Sequence, residues 1–181
     1  SIFSGQGLRI WDVEELETHG GSLRVYGCHE DSVRVDSVKV GHIIEQESKN
    51  GLTDITIYRE FQTRAEKVKN SLISFLIEQK NAGKSVAAYG AAAKGNTILN
   101  YAGIRPDLLP YVCDSAPSKQ GKYMPASHIP ILSPEVLKER KPEYIIILPW
   151  NIAEEVMSEY HYVKAWGAKF VTAVPELRII V

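Results

Sequence analysis

The chain has 181 residues, and its 21 Lys and Arg residues nearly balance its 22 Asp and Glu residues, for a formal net charge of −1. A chain so close to neutral has no general basic field, so nucleic acid and anionic membranes are not expected partners. Its 44% hydrophobic content is that of a folded protein and excludes a disordered one. The apolar runs are too short to cross a bilayer and the first residues lack the pattern of a signal peptide, so we expect a cytoplasmic protein.

The first 26 residues predict an N-terminal β-hairpin. Apolar residues such as Leu8 and Val13 precede the turn sequence Thr18–Ser22, and Leu23 and Val25 follow it. A two-stranded hairpin is marginally stable by itself, so we expect this one to need a packing partner.

A helical lead-in follows the hairpin. Apolar residues between positions 38 and 44 predict a first helix that ends near Asn50. From Leu52 onwards, apolar residues recur every three or four positions, which predicts a long amphipathic helix reaching about Asn81. The pattern leaves open whether this segment is one helix or two helices that meet near Tyr58.

Short apolar runs alternate with helical segments in the rest of the chain. Helix starts are predicted at Asn96, at Pro134 as the first helical residue after Ser133, and after Asn151, whose side chain is expected to cap its helix. This alternation predicts an α/β fold with a doubly wound, parallel, Rossmann-like sheet of strand order 3-2-1-4-5. The five predicted strands are Ser85–Tyr89, Leu109–Cys113, Ile129–Ile131, Tyr144–Leu148 and Lys169–Val174.

The turn after the first of these strands has the sequence YGAAAKGN, Tyr89–Asn96. Gly90, Ala92 and Gly95 stand at the three glycine positions of a dinucleotide-binding fingerprint, with Ala92 replacing the middle glycine. The first N–H groups of the following helix and the Lys94 side chain are suited to a phosphate. A closely packed turn without a ligand is the alternative. The candidate phosphate-binding residues are Gly90, Ala92, Ala93, Lys94, Gly95 and Asn96.

Four further candidates fall near the carboxyl ends of the predicted strands. Asp114 follows Gly90 by 24 positions (114 − 90), close to where a ribose-binding carboxylate belongs, although it equally suits a loop cap. Lys119 and Lys122 are placed either to meet a pyrophosphate or to be solvated, and Trp150 is placed to stack on a base or sugar. The sequence has no recognisable nucleophile triad, carboxylate pair or metal-ligand spacing, so it assigns no catalytic or metal-binding residue.

Four segments of the chain resemble one enzyme family: Thr18–Tyr26, Tyr89–Ile104, Asp114–Ile131 and Ile147–Asn151. Together they are similar to the C-terminal domain of S-adenosylmethionine-dependent nucleotide-sugar C-methyltransferases. The resemblance implies enzymes that methylate keto-deoxysugar nucleotides. It also implies that this domain helps to hold the nucleoside-diphosphate sugar beside the methyltransferase domain.

The same resemblance implies how the chain is divided. Residues 1–30 are then a hairpin remnant of the preceding methyltransferase domain, which is a partner of this chain, and residues 31–181 form the Rossmann-like C-terminal domain. His19 and Arg24, on the hairpin, are expected near the sugar. S-adenosylmethionine is expected to bind to the preceding domain. We therefore expect no cofactor in this chain, and no methyl transfer by its 181 residues alone.

Two other interpretations stay open from the residues alone. One is a free-standing Rossmann-type module for NAD or another nucleotide. The other is a scaffold whose nucleotide site is vestigial. The alanine at the second glycine position and the hairpin that needs a partner both disfavour the free-standing module.

Overall fold

The computed structural model describes residues 2–181, except for the side chain of His19. The chain forms two compact units, one that ends at Gln62 and one that spans Thr63–Val181. Among the described residues, no helix combines the length and the apolar character that a membrane crossing requires. The boundary expected between residues 30 and 31 is a different one: it separates the domains of the parent enzyme, and it stays a prediction.

The N-terminal unit contains an antiparallel hairpin. β1 (Leu8–Leu16) pairs with β2 (Ser22–His29), and a 3-10 turn at Thr18–Gly20 connects them. α1 (Val38–Lys49) follows, and the Ser37 side chain caps its first turn. The predicted hairpin and the predicted first helix are therefore confirmed.

The hairpin leaves part of its apolar surface exposed within this unit. Val13 is buried, whereas Leu23 and Val25 are 43% and 41% exposed. All of α1 is described, and none of its residues is buried. A packing partner for the hairpin stays a prediction, because exposed apolar surface by itself does not identify what covers it.

α2 is one continuous helix, Ile55–Asn81, and it is not interrupted near Tyr58. Leu72, Phe75 and Leu76 are its buried residues. Their spacing of three and four places them on one face of the helix, and that face packs into the core of the C-terminal unit.

The C-terminal unit contains a mixed, mostly parallel sheet of six strands. They are β3 (Val86–Tyr89), β4 (Val112–Cys113), β5 (Ile131–Leu132), β6 (Tyr144–Ile147), β7 (Lys169–Thr172) and β8 (Arg178–Ile180). Their order across the sheet is β5-β4-β3-β6-β7-β8, in which the first five are parallel and β8 is antiparallel to β7. The predicted α/β fold with a largely parallel sheet is confirmed.

The sequence does not predict β8. Only a short turn separates it from β7, too short for a crossover helix, so the chain turns back and pairs antiparallel. Strand–helix alternation cannot detect such a strand, because no helix precedes it. β4 and β5 are also shorter than predicted, with two residues each.

Three α-helices follow the strands in this unit: α3 (Ala93–Tyr101), α4 (Glu135–Arg140) and α5 (Ala153–Glu159). α3 starts before the predicted Asn96, because the Asn96 N–H already makes a helical hydrogen bond. Pro134 stands before the first helical residue of α4 and not at it. Both differences are shifts of a helix start and leave the element order unchanged.

Asn151 does not cap α5. It lies in a 3-10 turn, Trp150–Ile152, and Ile152 occupies the capping position. The predicted capping is wrong because the chain makes this additional turn between β6 and α5. The Asn151 amide oxygen instead accepts a hydrogen bond from Lys94 Nζ.

The sheet has an apolar core on each face. Alternate residues of β3 point into opposite cores, as the pleat of a strand requires. Buried residues on the α2 and α3 side include Leu72, Leu76, Ala88, Ile98, Leu99 and Ile146. Buried residues on the α4 and α5 side include Ala87, Leu137, Ile145, Ile147, Val156 and Phe170.

Glu143 joins the amino ends of β3 and β6. Its carboxylate accepts hydrogen bonds from Lys84 Nζ at 2.6 Å and from the backbone N–H of Ser85 at 2.8 Å. The bond from Lys84 is the largest cause, and the bond from the Ser85 N–H the next, of a lowered pKa of Glu143. The ionised form is therefore the form that the folded chain prefers.

We expect Glu143→Gln to lower the free energy of unfolding at neutral pH but not in acid. A carboxyl group whose folded pKa is depressed stabilises the fold above its unfolded pKa, about 4.3, and loses this contribution as the pH falls through the folded pKa. The Glu143 side chain is 38% exposed. Because solvent screens exposed pairs, the loss at pH 7 should be only about 0.5–1 kcal/mol. Urea denaturation at pH 7 and at about pH 3 measures it, with the exposed Glu139→Gln as control. An equal loss at both pH values would contradict the prediction.

Candidate functional site

Three segments of the chain meet at the carboxyl edge of the parallel sheet. They are the turn after β3, the loop after β4 and the segment after β6, at 90–96, 114–122 and 149–151. β4 and β5 lie on one side of β3, and β6 lies on the other. Ligands of open α/β sheets bind at this edge, where the strand order reverses, so its side chains and N–H groups form the candidate site.

The turn after β3 is held by its own backbone. Gly90 has φ of +89°, in the region that favours glycine, and its N–H donates to Cys113 O at 2.7 Å. Ala92 N–H donates to Gly90 O at 2.8 Å, and Asn96 N–H begins the helical ladder by donating to Ala92 O at 2.9 Å. The N–H groups of Ala93 and Gly95 precede this ladder at the start of α3, where a helix presents donors and a partial positive charge to an anion.

Two of the fingerprint glycines are sites of close approach. A Cβ at Gly90 would lie 2.4 Å from Pro149 Cδ, and a Cβ at Gly95 would lie 2.5 Å from Leu148 Cβ. The absence of a Cβ at both glycines lets the turn and the start of α3 pack closely against the residues after β6. Gly95 therefore has the packing role of a third fingerprint glycine, whereas the surface of Gly90 is covered by a proline ring.

Asp114 connects the loop after β4 to the turn after β3. The residue is buried, with 6% of its surface exposed. Oδ2 accepts hydrogen bonds from the Ala91 N–H at 2.7 Å and from Lys119 Nζ at 2.9 Å, and Oδ1 accepts one from the Ala116 N–H at 2.9 Å. The carboxylate thus binds its own loop, as a cap does, and a neighbouring turn as well.

Lys94 connects the same turn to the segment after β6. Its Nζ donates to Asn151 Oδ1 at 3.1 Å and lies 5.7 Å from the centroid of the Trp150 ring. Trp150 and Asn151 also line a cavity of about 410 Å³, which the start of α5 and the β7–β8 turn complete. The arrangement places a cation, an aromatic ring and an open cavity side by side.

The structure gives the remaining predicted candidates other surroundings. Lys119 is bonded to Asp114, and the side chain of Lys122 is exposed at the end of its loop. Arg24 belongs to the N-terminal unit, where it donates to Glu14 Oε2 at 2.9 Å. The side chain of His19 lies outside the described residues. Ala92 and Asn96 remain part of the turn and of the first turn of α3.

Sequence reasoning missed a pair of hydroxyl groups at the carboxyl end of β3. Tyr160 O–H donates to the oxygen of Tyr89 at 2.9 Å, and burial, followed by this bond, raises the pKa of Tyr160. Tyr160 also lines a second cavity, of about 490 Å³, together with Ser133 and Tyr162. The two tyrosines are far apart in the chain, so no local signal in the sequence connects them.

The thiol at this edge is not activated, and the described residues form no metal centre. Burial raises the pKa of the Cys113 thiol to about 12, so it stays protonated at neutral pH. No group of three or more described His, Cys, Asp or Glu side chains is arranged to hold a metal ion. The groups that this edge presents are backbone N–H groups, a lysine and aromatic rings.

Comparison with known proteins identifies the family. A family model described as the C-methyltransferase C-terminal domain matches residues 17–175. The chain belongs to this family. It is also 32% identical over 180 residues to the C-methyltransferase NovU of Streptomyces niveus, covering 99% of this chain and 43% of NovU. The chain thus spans less than half the length of this relative, and the family expected from the four sequence segments is confirmed.

A solved structure is also similar in part. It is the UDP-D-quinovosamine 4-dehydrogenase from Vibrio fischeri, with a TM-score of 0.40 and 17% sequence identity, covering 54% of this chain and 93% of that chain. The family match includes the whole carboxyl edge from Gly90 to Asn151.

We expect Gly90→Ala to destabilise the fold more than Gly83→Ala does. Both glycines have positive φ, +89° and +68°, but a Cβ at Gly83 meets nothing within 4 Å. Backbone strain of about 1–3 kcal/mol is common to both variants. Only Gly90→Ala adds the collision with the rigid Pro149 ring, for which overpacking costs a further 1–3 kcal/mol or so. Equilibrium denaturation in urea measures both values, and equal losses would show that Pro149 does not restrict Gly90.

Proposed function

We propose that this chain is the Rossmann-like, nucleotide-sugar-binding domain of a C-methyltransferase that transfers a methyl group from S-adenosylmethionine to a keto-deoxysugar nucleotide. Membership of the C-methyltransferase C-terminal family supports the parent activity. The observation that carries the binding role is the contact of Lys94 with Asn151 across the ends of β3 and β6. It holds a cation at the start of α3, at the position in the sheet where α/β proteins bind their ligands.

The charges at this edge suit a diphosphate. A nucleoside diphosphate carries two to three negative charges, and here the start of α3 and the Lys94 ammonium supply positive potential from one side. Charge-assisted hydrogen bonds of this kind are short and strong. Trp150 lies beside the lysine and presents an aromatic face on which a base or sugar ring can stack.

The lysine and the helix start offer nothing to the sulfonium of S-adenosylmethionine. The sulfonium is positively charged, as is the Lys94 ammonium, and the start of α3 carries a partial positive charge. We infer that the methyl donor binds to the part of the enzyme that corresponds to the remaining length of NovU, of which this chain covers 43%. No catalytic step is assigned to the residues described here.

The contribution of this domain to the reaction is then positioning. Binding energy from the nucleotide, which is remote from the reacting carbon, holds the sugar in line with the methyl donor. The hairpin residues His19 and Arg24 are proposed to approach the sugar itself. A preceding methyltransferase domain is the proposed partner of the chain.

Calorimetric titration of the chain with four ligands tests this function. We expect thymidine diphosphate or uridine diphosphate to give a saturable heat and S-adenosylmethionine to give none at micromolar concentration. Tighter binding of NAD than of either diphosphate would favour a free-standing dinucleotide module. No binding of any ligand would favour a scaffold.

Lys94→Ala should weaken the binding of the diphosphate. Loss of one charge-assisted hydrogen bond costs about 1–3 kcal/mol, which corresponds to a roughly 5- to 150-fold higher Kd. The effect should shrink at high salt, because ions screen the lost attraction. The matched control is Lys80→Ala, which removes the same charge near the end of α2, before β3 begins. Equal Kd values for Lys94→Ala, Lys80→Ala and the parent chain would remove Lys94 from the site.

A further inference from the structure

Asp114 is a buried carboxylate at the position where a dinucleotide-binding sheet carries its ribose ligand. We propose that Asp114 is instead a positioning residue for the turn after β3, so that the site binds ribonucleoside and 2′-deoxyribonucleoside diphosphates equally well. The inference rests on the proposed function, because it concerns the nucleotide that the same site would bind.

The hydrogen-bonding capacity of the Asp114 carboxylate is largely used inside the protein. An ionised carboxylate has about four acceptor positions, and three of them receive donors from Ala91, Ala116 and Lys119. Both positions of Oδ2 are taken, one of them by the charged donor on Lys119, so a ribose hydroxyl could use Oδ2 only by displacing a partner. One position on Oδ1 remains, but the side chain is only 8% exposed. A sugar that binds over the turn therefore finds little accessible carboxylate surface for its 2′-hydroxyl.

The bond from Ala91 gives the carboxylate a different role. Gly90 is held on one side by its bond to Cys113 O and by the Pro149 ring, and Ala92 N–H bonds back to Gly90 O. Ala91 lies between them, and its N–H points at Asp114 Oδ2. The carboxylate thereby sets the orientation of the peptide between Gly90 and Ala91, and with it the direction in which α3 begins.

The ion pair between Lys119 and Asp114 also supports a positioning role for Asp114. Lys119 Nζ lies 2.9 Å from Asp114 Oδ2, so the pair adds no net charge to the edge. Lys94 is then the lysine through which the turn meets a diphosphate, while the Asp114–Lys119 pair holds the loop after β4 against the turn. Any discrimination between nucleobases then comes from groups other than this carboxylate.

The first test needs no variant. Uridine diphosphate and 2′-deoxyuridine diphosphate differ in one hydroxyl group, so the ratio of their Kd values isolates its recognition. We expect the two Kd values, measured by calorimetry on the parent chain, to agree within about threefold, less than a single hydrogen bond to a charged group provides. A preference of more than about threefold for uridine diphosphate overturns the inference.

The second test follows the Ala91 amide in Asp114→Asn. We expect its N–H resonance to shift upfield and its hydrogen exchange to accelerate, because the charged acceptor is lost. The Kd values of both diphosphates should rise by the same factor, which a ribose ligand would not produce. Asp107→Asn, an exposed carboxylate paired with Lys80 at 3.9 Å, is the matched control and should change neither readout.

The outcomes separate this inference from the proposed function. If neither diphosphate binds to the parent chain, the proposed function fails and the claim about ribose fails with it. The positioning role is then decided by the Ala91 amide, and an amide that is unchanged in Asp114→Asn overturns it. If Asp114→Asn does not fold, two measurements on the parent chain replace it. The ratio of the two Kd values tests the claim about ribose, and fast hydrogen exchange of the Ala91 N–H would contradict its bond to Asp114.

Discussion

The C-terminal unit depends on one constraint: β3 has a neighbouring strand on each side and an apolar core on each face. Ala87 and Ala88 are fully buried, and their small side chains allow helices from both sides to approach the strand. The chain leaves this strand in a tight turn between its neighbours. The turn requires Gly90, because Pro149 at the end of β6 leaves no space for a Cβ.

Polar contacts fasten β3 at both ends, and each uses a carboxylate from another part of the chain. Glu143 accepts from Ser85 at the amino end, and Asp114 accepts from Ala91 at the carboxyl end. The two carboxylates differ in burial. Glu143 is partly exposed and contributes little to stability, whereas Asp114 is buried, so its removal leaves partly buried donors without their acceptor. The edge that we propose to bind nucleotide is therefore the more rigidly determined end of the strand.

This rigidity has a consequence for a domain whose proposed contribution is positioning. A mobile turn orients a bound ligand poorly. A turn that is fixed from both sides holds the ligand in one orientation, at the expense of the ligand's rotational freedom. Lys94 is itself placed by Asn151 and the Trp150 ring. The cation is then in position before a ligand arrives.

The sequence by itself determined most of the element types, the α/β class and the family, because periodicity, turn residues and local segments are properties of neighbouring residues. It also located the turn at Gly90–Asn96. Only the tertiary structure decided what Asp114, Lys119 and Asn151 contact, since each partner comes from another part of the sheet edge or from the far end of a loop. The antiparallel β8 was equally beyond local reasoning. A spacing of 24 residues suggested a ribose ligand at Asp114, but spacing carries no information on whether a carboxylate faces solvent or its own protein, and packing in three dimensions decides that.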